Sequence, residues 1–151
     1  MLLSILVTWL SVNFGLPAIH EYPRVEFVTP GTMAQVRFNR LAGADRAMPG
    51  ASRLTGSEAG NNLSAIYDDR SRTIYLRNGW SDRRPADVSL LVHELVHHLQ
   101  NAGGVQYDCP AAREKPAYAA QTRWLELFAR DLSEEFALDP MTILVRTNCF
   151  N

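Results

Sequence analysis

Between Pro85 and the Gly103-Gly104 pair the chain carries helical signals at both ends and the pattern His93-Glu94-Leu95-Val96-His97 at its centre. Ser81 or Asp82 can cap this helix, Pro85 suits its first turn, and the glycines stop it after about Asn101. Residues four apart on an α-helix leave the same face one turn on, so the His93 and His97 imidazoles point to a common place. Tetrahedral zinc accepts two neutral imidazoles at roughly 2.0–2.1 Å and leaves positions for a third protein ligand and a water. Glu94, beside the first histidine, then stands where a general base acts on that water. Chance gives a His-Glu-x-x-His pattern in roughly half a percent of chains with this histidine and glutamate content. A metal site is therefore the expectation, against the plainer reading of polar residues on a solvated helix face.

The third ligand decides the kind of site. A three-histidine pattern, H-E-x-x-H-x-x-G-x-x-H, requires Gly at 100 and His at 103, whereas this chain has Gln100 and Gly103. The acidic residues downstream are Asp108, Glu114 and Glu126. Glu114 is the choice, because the glycine pair lets the chain reverse and lay the next helix alongside the first, with Asp108 and Glu126 as alternatives. Tyr118 and Gln121 follow Glu114 at i+4 and i+7 on the same helical face. Tyr118 there either donates to the oxyanion of a tetrahedral intermediate or packs in the core. Asp87, Asp108 and Gln121 are candidates for orienting the histidines. His98 points about 100° away from His97 and is assigned to the surface or to a supporting contact. Tyr75 and Trp80 either line a cleft or fill the core.

With 151 residues, 46% of them hydrophobic, the chain is long enough for one domain with a substantial core, spanning 1–151. A net charge of -1 provides no field for nucleic acid. In residues 1–16 Ser4, Thr8, Ser11 and Gly15 form a polar stripe on an otherwise apolar run. This favours an amphipathic helix packing Leu3, Leu6, Leu10 and Phe14 over a signal segment, and it is too short and interrupted to span a membrane. Arg24 to Thr29 alternates as a strand, and Met33 to Phe38 is a second short element. Residues 42–62, rich in Gly, Pro and small polar residues, read as a long loop. Ser64 to Tyr67 and Arg72 to Arg77 flank a four-residue turn as a β-hairpin. Helices are expected from about Arg113 to Leu132 and from Pro140, capped by Asp139, to near Cys149. The fold class is α+β: a small antiparallel sheet packed on three to four helices. Cys109 and Cys149 are either a disulfide, implying an oxidising compartment such as the periplasm or the exterior, or two small core residues of a cytoplasmic protein.

His93-Glu94-x-x-His97 followed by Glu114 on the next helix resembles the gluzincin type of zinc metallopeptidase, reduced to a minimal catalytic core. The stretches LVHELVHHLQ and CPAAREKPAYAAQ are also similar to a small uncharacterised bacterial family proposed to be metallopeptidases. The resemblance covers about residues 64 to 149. It implies Zn2+ held by His93, His97 and Glu114 with one water, Glu94 as general base, and a peptide or protein substrate. It also implies that Arg72 to Arg77 is an edge strand along which an extended peptide lies. Pro116, two residues after Glu114, requires the second helix to begin close to the glutamate or to kink there. Two other readings compete: a zinc-binding protein without protease activity, and a metal-free interaction domain that adds a partner strand to the hairpin.

Overall fold

The computed structural model describes residues 1–47 and 63–150. Its elements run α1 (Leu2–Phe14), β1 (Arg24–Val28), α2 (Pro30–Ala47), β2 (Ala65–Asp68), β3 (Thr73–Arg77), α3 (Pro85–Ala102), α4 (Pro110–Glu126), α5 (Leu132–Phe136) and α6 (Pro140–Thr147). The expected α+β class holds, with six helices and a three-stranded sheet among the described residues.

The central element is α3, buried on nearly every side from Val88 to Gln100. Pro85 at its first position has the backbone angle a helix needs and no amide hydrogen to leave unpaired. The cap differs from expectation: Arg84 is the capping residue, and its side chain makes no capping hydrogen bond. Asp87 in the first turn accepts instead from the Ser81 amide at 2.8 Å and pairs with Arg84 at 2.6 Å, setting negative charge at the helix N-terminus. At the other end the glycines have separate reasons. A Cβ on Gly103 would meet Pro17 Cγ at 2.5 Å, and Gly104 turns the chain with φ +64°.

Leu91, Leu95 and Leu99 of α3 interlock with Leu6 and Leu10 of α1, with Tyr67, Ile74 and Leu76 of the sheet, and with Ala117 and Ala120 of α4. The expected burial of the first helix is seen: Leu6 and Leu10 are fully buried, Leu3 and Phe14 pack partly against the core, and Ser4 and Thr8 face out. Full burial of a leucine contributes roughly 1.5–3 kcal/mol, so this layer holds α3 rigidly where its polar face must work. No helix among the described residues is long and apolar enough to cross a membrane.

The sheet corrects two expectations. It is mixed, not antiparallel: β2 and β3 form the antiparallel hairpin with Tyr67 opposite Ile74, but β1 lies parallel to β3 with Val25 opposite Ile74. The chain leaves β1 through α2 and returns before the hairpin, so β1 arrives pointing the same way as β3. Consequently the strand order is β1-β3-β2 and Thr73–Arg77 is the central strand, with both of its edges already bonded. It cannot receive an extended peptide as an edge strand; among the described residues, the outer strand of the hairpin is β2.

The helix limits also move. The expected short element 33–38 and the first residues of the expected 42–62 loop belong to α2, which runs to Ala47; residues 48–62 lie outside the described part. Thr29-Pro30 starts this helix, the Thr29 hydroxyl accepting from the Thr32 amide at 3.2 Å, a signal masked by reading the proline only as the end of a strand. α4 begins at Pro110 after Cys109, earlier than Arg113, and stops at Glu126 instead of Leu132. It continues through Pro116, one turn and a half past its start. Asp139 caps α6 as expected, accepting from the Thr142 amide at 2.9 Å. Cys109 and Cys149 form a disulfide that ties the start of α4 to the second residue beyond α6.

Candidate metal centre

α3 and α4 build the site together. His93 and His97 leave α3 one turn apart with ring centroids 5.0 Å apart. α4 can come close because Ala117 and Ala120, both fully buried, present only methyl groups toward the core. That approach places Glu114 across both imidazoles: Oε2 is 3.1 Å from His93 Nε2, and Oε1 is 3.3 Å from His97 Nε2. Candidate ligand atoms of all three residues lie within 4.8 Å of one another. Ligands at roughly 2.0–2.1 Å from a tetrahedral ion stand about 3.3–3.4 Å apart, so both the donor set and its spacing fit a small divalent cation.

The hydrogen bonds behind the histidines fix which nitrogen faces that point. The Ser89 hydroxyl donates to the Ala86 carbonyl at 2.6 Å and accepts from Gln121 Nε2 at 3.2 Å. Gln121 therefore turns its oxygen to His93 Nδ1 at 3.0 Å, and the nitrogen there must donate. Likewise Gln100 Nε2 donates to the Arg113 carbonyl at 3.1 Å, while Gln100 Oε1 accepts from Arg113 Nε at 3.1 Å and from His97 Nδ1 at 3.0 Å. Both imidazoles thus carry hydrogen on Nδ1 and turn Nε2 toward Glu114, the orientation a metal ligand requires. Of the residues expected to orient the histidines, Gln121 does so. Asp87 is used at the start of α3, and Asp108 is exposed. Gln100, one turn beyond His97, was legible only as the residue that breaks a three-histidine pattern.

Charge at the site is set by burial and pairing in opposition. Burial works to lower the His93 imidazole, and the hydrogen bond to Glu114 with the negative charges of Glu94 and Glu114 outweighs it, so the group is raised above its ordinary 6.5. Burial works to raise Glu114, and its hydrogen bonds to His93 and His97, with their charge, hold it far below the usual carboxylate range. The carboxylate is ionised and favours the protonated form of His93, so a proton there occupies the place that a cation would take.

Glu94 is 8% exposed, and its carboxylate has no hydrogen-bond or ion-pair partner among the described residues. Tyr118 packs its ring edge-on to His93 with centroids 4.8 Å apart, and its hydroxyl accepts from Arg146 of α6 at 3.0 Å. The alternative third ligand Glu126 is exposed and paired to Arg123 at 3.1 Å. His98 is 1% exposed, correcting its surface assignment: Nε2 donates to the Glu21 carbonyl at 2.7 Å, and Nδ1 accepts from the Tyr67 hydroxyl at 3.1 Å. Trp80 packs partly on the core, bonded to the Asp87 carbonyl at 2.7 Å, and also lines a surface cavity of about 340 Å³ beside the start of α3. A second cavity of about 270 Å³ lies behind His97 against Asp69, Gln100 and Arg113. Neither is lined by Glu94, Glu114 or Tyr118.

The model of a domain of unknown function, DUF6647, matches residues 1–151, and the chain belongs to that family. No curated protein and no solved structure matches the chain.

Proposed function

We propose that this member of the DUF6647 family is a zinc-dependent hydrolase of peptide bonds, with His93, His97 and Glu114 as the metal ligands. The observation that carries the reading is the convergence of two Nε2 atoms, each fixed by a glutamine behind its ring, on one ionised carboxylate. Zinc suits an N2O donor set and, when bound, supplies a Lewis acid that makes water nucleophilic near neutral pH. The gluzincin-like order of His-Glu-x-x-His and a following glutamate supports the same conclusion.

Glu94 is the general base. It is buried beside a ligand and has no hydrogen-bond or ion-pair partner among the described residues, so it can take a proton from the attacking water and return it to the leaving amine as the C–N bond breaks. Tyr118 is placed against His93, and the Arg146 guanidinium bonded to its oxygen polarises the hydroxyl to donate to a developing oxyanion. Glu94→Gln keeps the side chain's shape and leaves the three metal ligands in place, and it removes the charge that accepts the proton. It is expected to lower turnover of a mixed peptide library by about 10²-fold or more, whereas His93→Ala loses both metal and turnover. Unchanged cleavage by Glu94→Gln would remove this mechanism.

A zinc-binding protein without peptidase activity is the second reading. It needs only His93, His97 and Glu114, which together could hold a cation as a tie between α3 and α4. Zinc retained without cleavage of any peptide would select it.

A further inference from the structure

His97 is oriented by Gln100, but an amide side chain has two nearly isosteric ends, and only its oxygen can accept from an imidazole N–H. What selects the oxygen is Arg113. Its guanidinium has donors only, and its Nε stands 3.1 Å from Gln100 Oε1; its own carbonyl meanwhile accepts from Gln100 Nε2 at 3.1 Å. Rotating the amide would set donor against donor and acceptor against acceptor at both ends. Arg113 also donates to the His97 carbonyl at 3.2 Å, a backbone group that lies within the continuous helix α3.

Arg113 is in turn held from the sheet. Asp69, in the turn between β2 and β3, takes the guanidinium in a two-pronged pair, with Oδ2 2.8 Å from Nη1 and Oδ1 on Nη2. Such a pair fixes the plane of the guanidinium as well as its position. The Asp69 backbone is itself fixed by α3, since Asn101 Nδ2 donates to its carbonyl at 3.0 Å and to the Tyr67 hydroxyl at 2.9 Å. Neither Asp69 nor Arg113 touches the three ligand atoms, and the pair retains partial exposure at 35% and 22%.

We infer that Asp69 and Arg113 are positioning residues for the metal, acting through Gln100 to hold His97 with Nε2 toward the ion. This rests on the reading of His93, His97 and Glu114 as a metal site. Only one of the two histidines is so served, because the Gln121 that orients His93 is set by Ser89.

The test is zinc affinity, measured by competition with a chromophoric chelator on the full chain. Loss of a group that orients a metal-binding histidine lowers affinity by roughly 10–100-fold, the range expected for Arg113→Met, with a smaller loss for Asp69→Asn. Gln100→Leu removes the intermediary. If the pair acts through Gln100, adding Arg113→Met to Gln100→Leu lowers affinity little further, whereas a general structural role gives losses that multiply. Asp69→Asn in the same two backgrounds gives the same comparison with nearly unchanged shape, should Arg113→Met fail to fold. Zinc bound by wild type with equal affinity in the variants, or with losses that multiply, overturns this inference alone. A wild-type chain that binds no zinc overturns the metal site and this inference with it.

Discussion

When no cation is present, the ionised Glu114 carboxylate keeps a proton on the His93 imidazole facing it, and the consequences can be read at both groups. The depressed Glu114 value contributes stability that is present above its ordinary 4.5 and is lost as pH falls through the folded value. The raised His93 value contributes stability that is present below its ordinary 6.5 and is lost as pH rises through the folded value. Both contributions are complete only between 4.5 and 6.5. The melting temperature of metal-free protein should peak in that window, and Glu114→Gln should flatten the profile; a wild-type profile as flat as the variant's would contradict the pairing. Metal binding has the opposite preference. It requires the Nε2 proton to leave, so affinity should fall with decreasing pH from above the range of an ordinary imidazole. The residues that show this chemistry were legible to different degrees. His93, Glu94 and His97 declare themselves by a spacing internal to one helix. Glu114 was chosen through the chain reversal at Gly103-Gly104, and the structure places it there. Gln100, Arg113 and Asp69 were not legible, because their meeting depends on the distance between helix and hairpin, which no local pattern encodes.

Among the elements, α3 was the most legible and is the most demanding. Its punctuation by Pro85 and the glycines is local chemistry, and its limits differ from expectation by a residue. Leu95 is fully buried on it, so Leu95→Ala should destabilise by roughly 2–5 kcal/mol in denaturant titration, through lost burial and the cavity left behind. A loss near zero would mean that α3 is not the centre of the core. Gly103→Ala should also destabilise, since the new methyl meets Pro17 Cγ at 2.5 Å and the Leu99 carbonyl at 2.9 Å. α2 and α4 were read less well. Small residues and Gly43 hide the continuation of α2, and Ala129 at φ 53° ends the α4 region before the apolar Leu132 that the helical pattern had included. β1 was legible as a strand but not as a parallel one, because direction in a sheet is settled by the connection and not by the strand's own residues.

At the scale of the whole molecule, the disulfide ties together the ends of the two helices that the Tyr118–Arg146 bond also joins. Cys109 precedes α4, which carries Glu114 and Tyr118, and Cys149 follows α6, which carries Arg146. Closing a loop with a sequence separation of 40 restricts the unfolded chain, and its removal in the Cys109→Ser, Cys149→Ser variant should cost roughly 2–4 kcal/mol of stability. An equal stability of oxidised and reduced protein would argue against that role. A persistent disulfide also supports placing the protein in an oxidising compartment, a proposal that thiol trapping in cells addresses. The central claim, however, is the metal. The measurement that tests it most directly is the zinc retained per chain after dialysis of wild type and Glu114→Gln side by side. The account predicts one ion in the wild type and a markedly reduced content in the variant; no retained zinc in the wild type, or the same content in both, would contradict it.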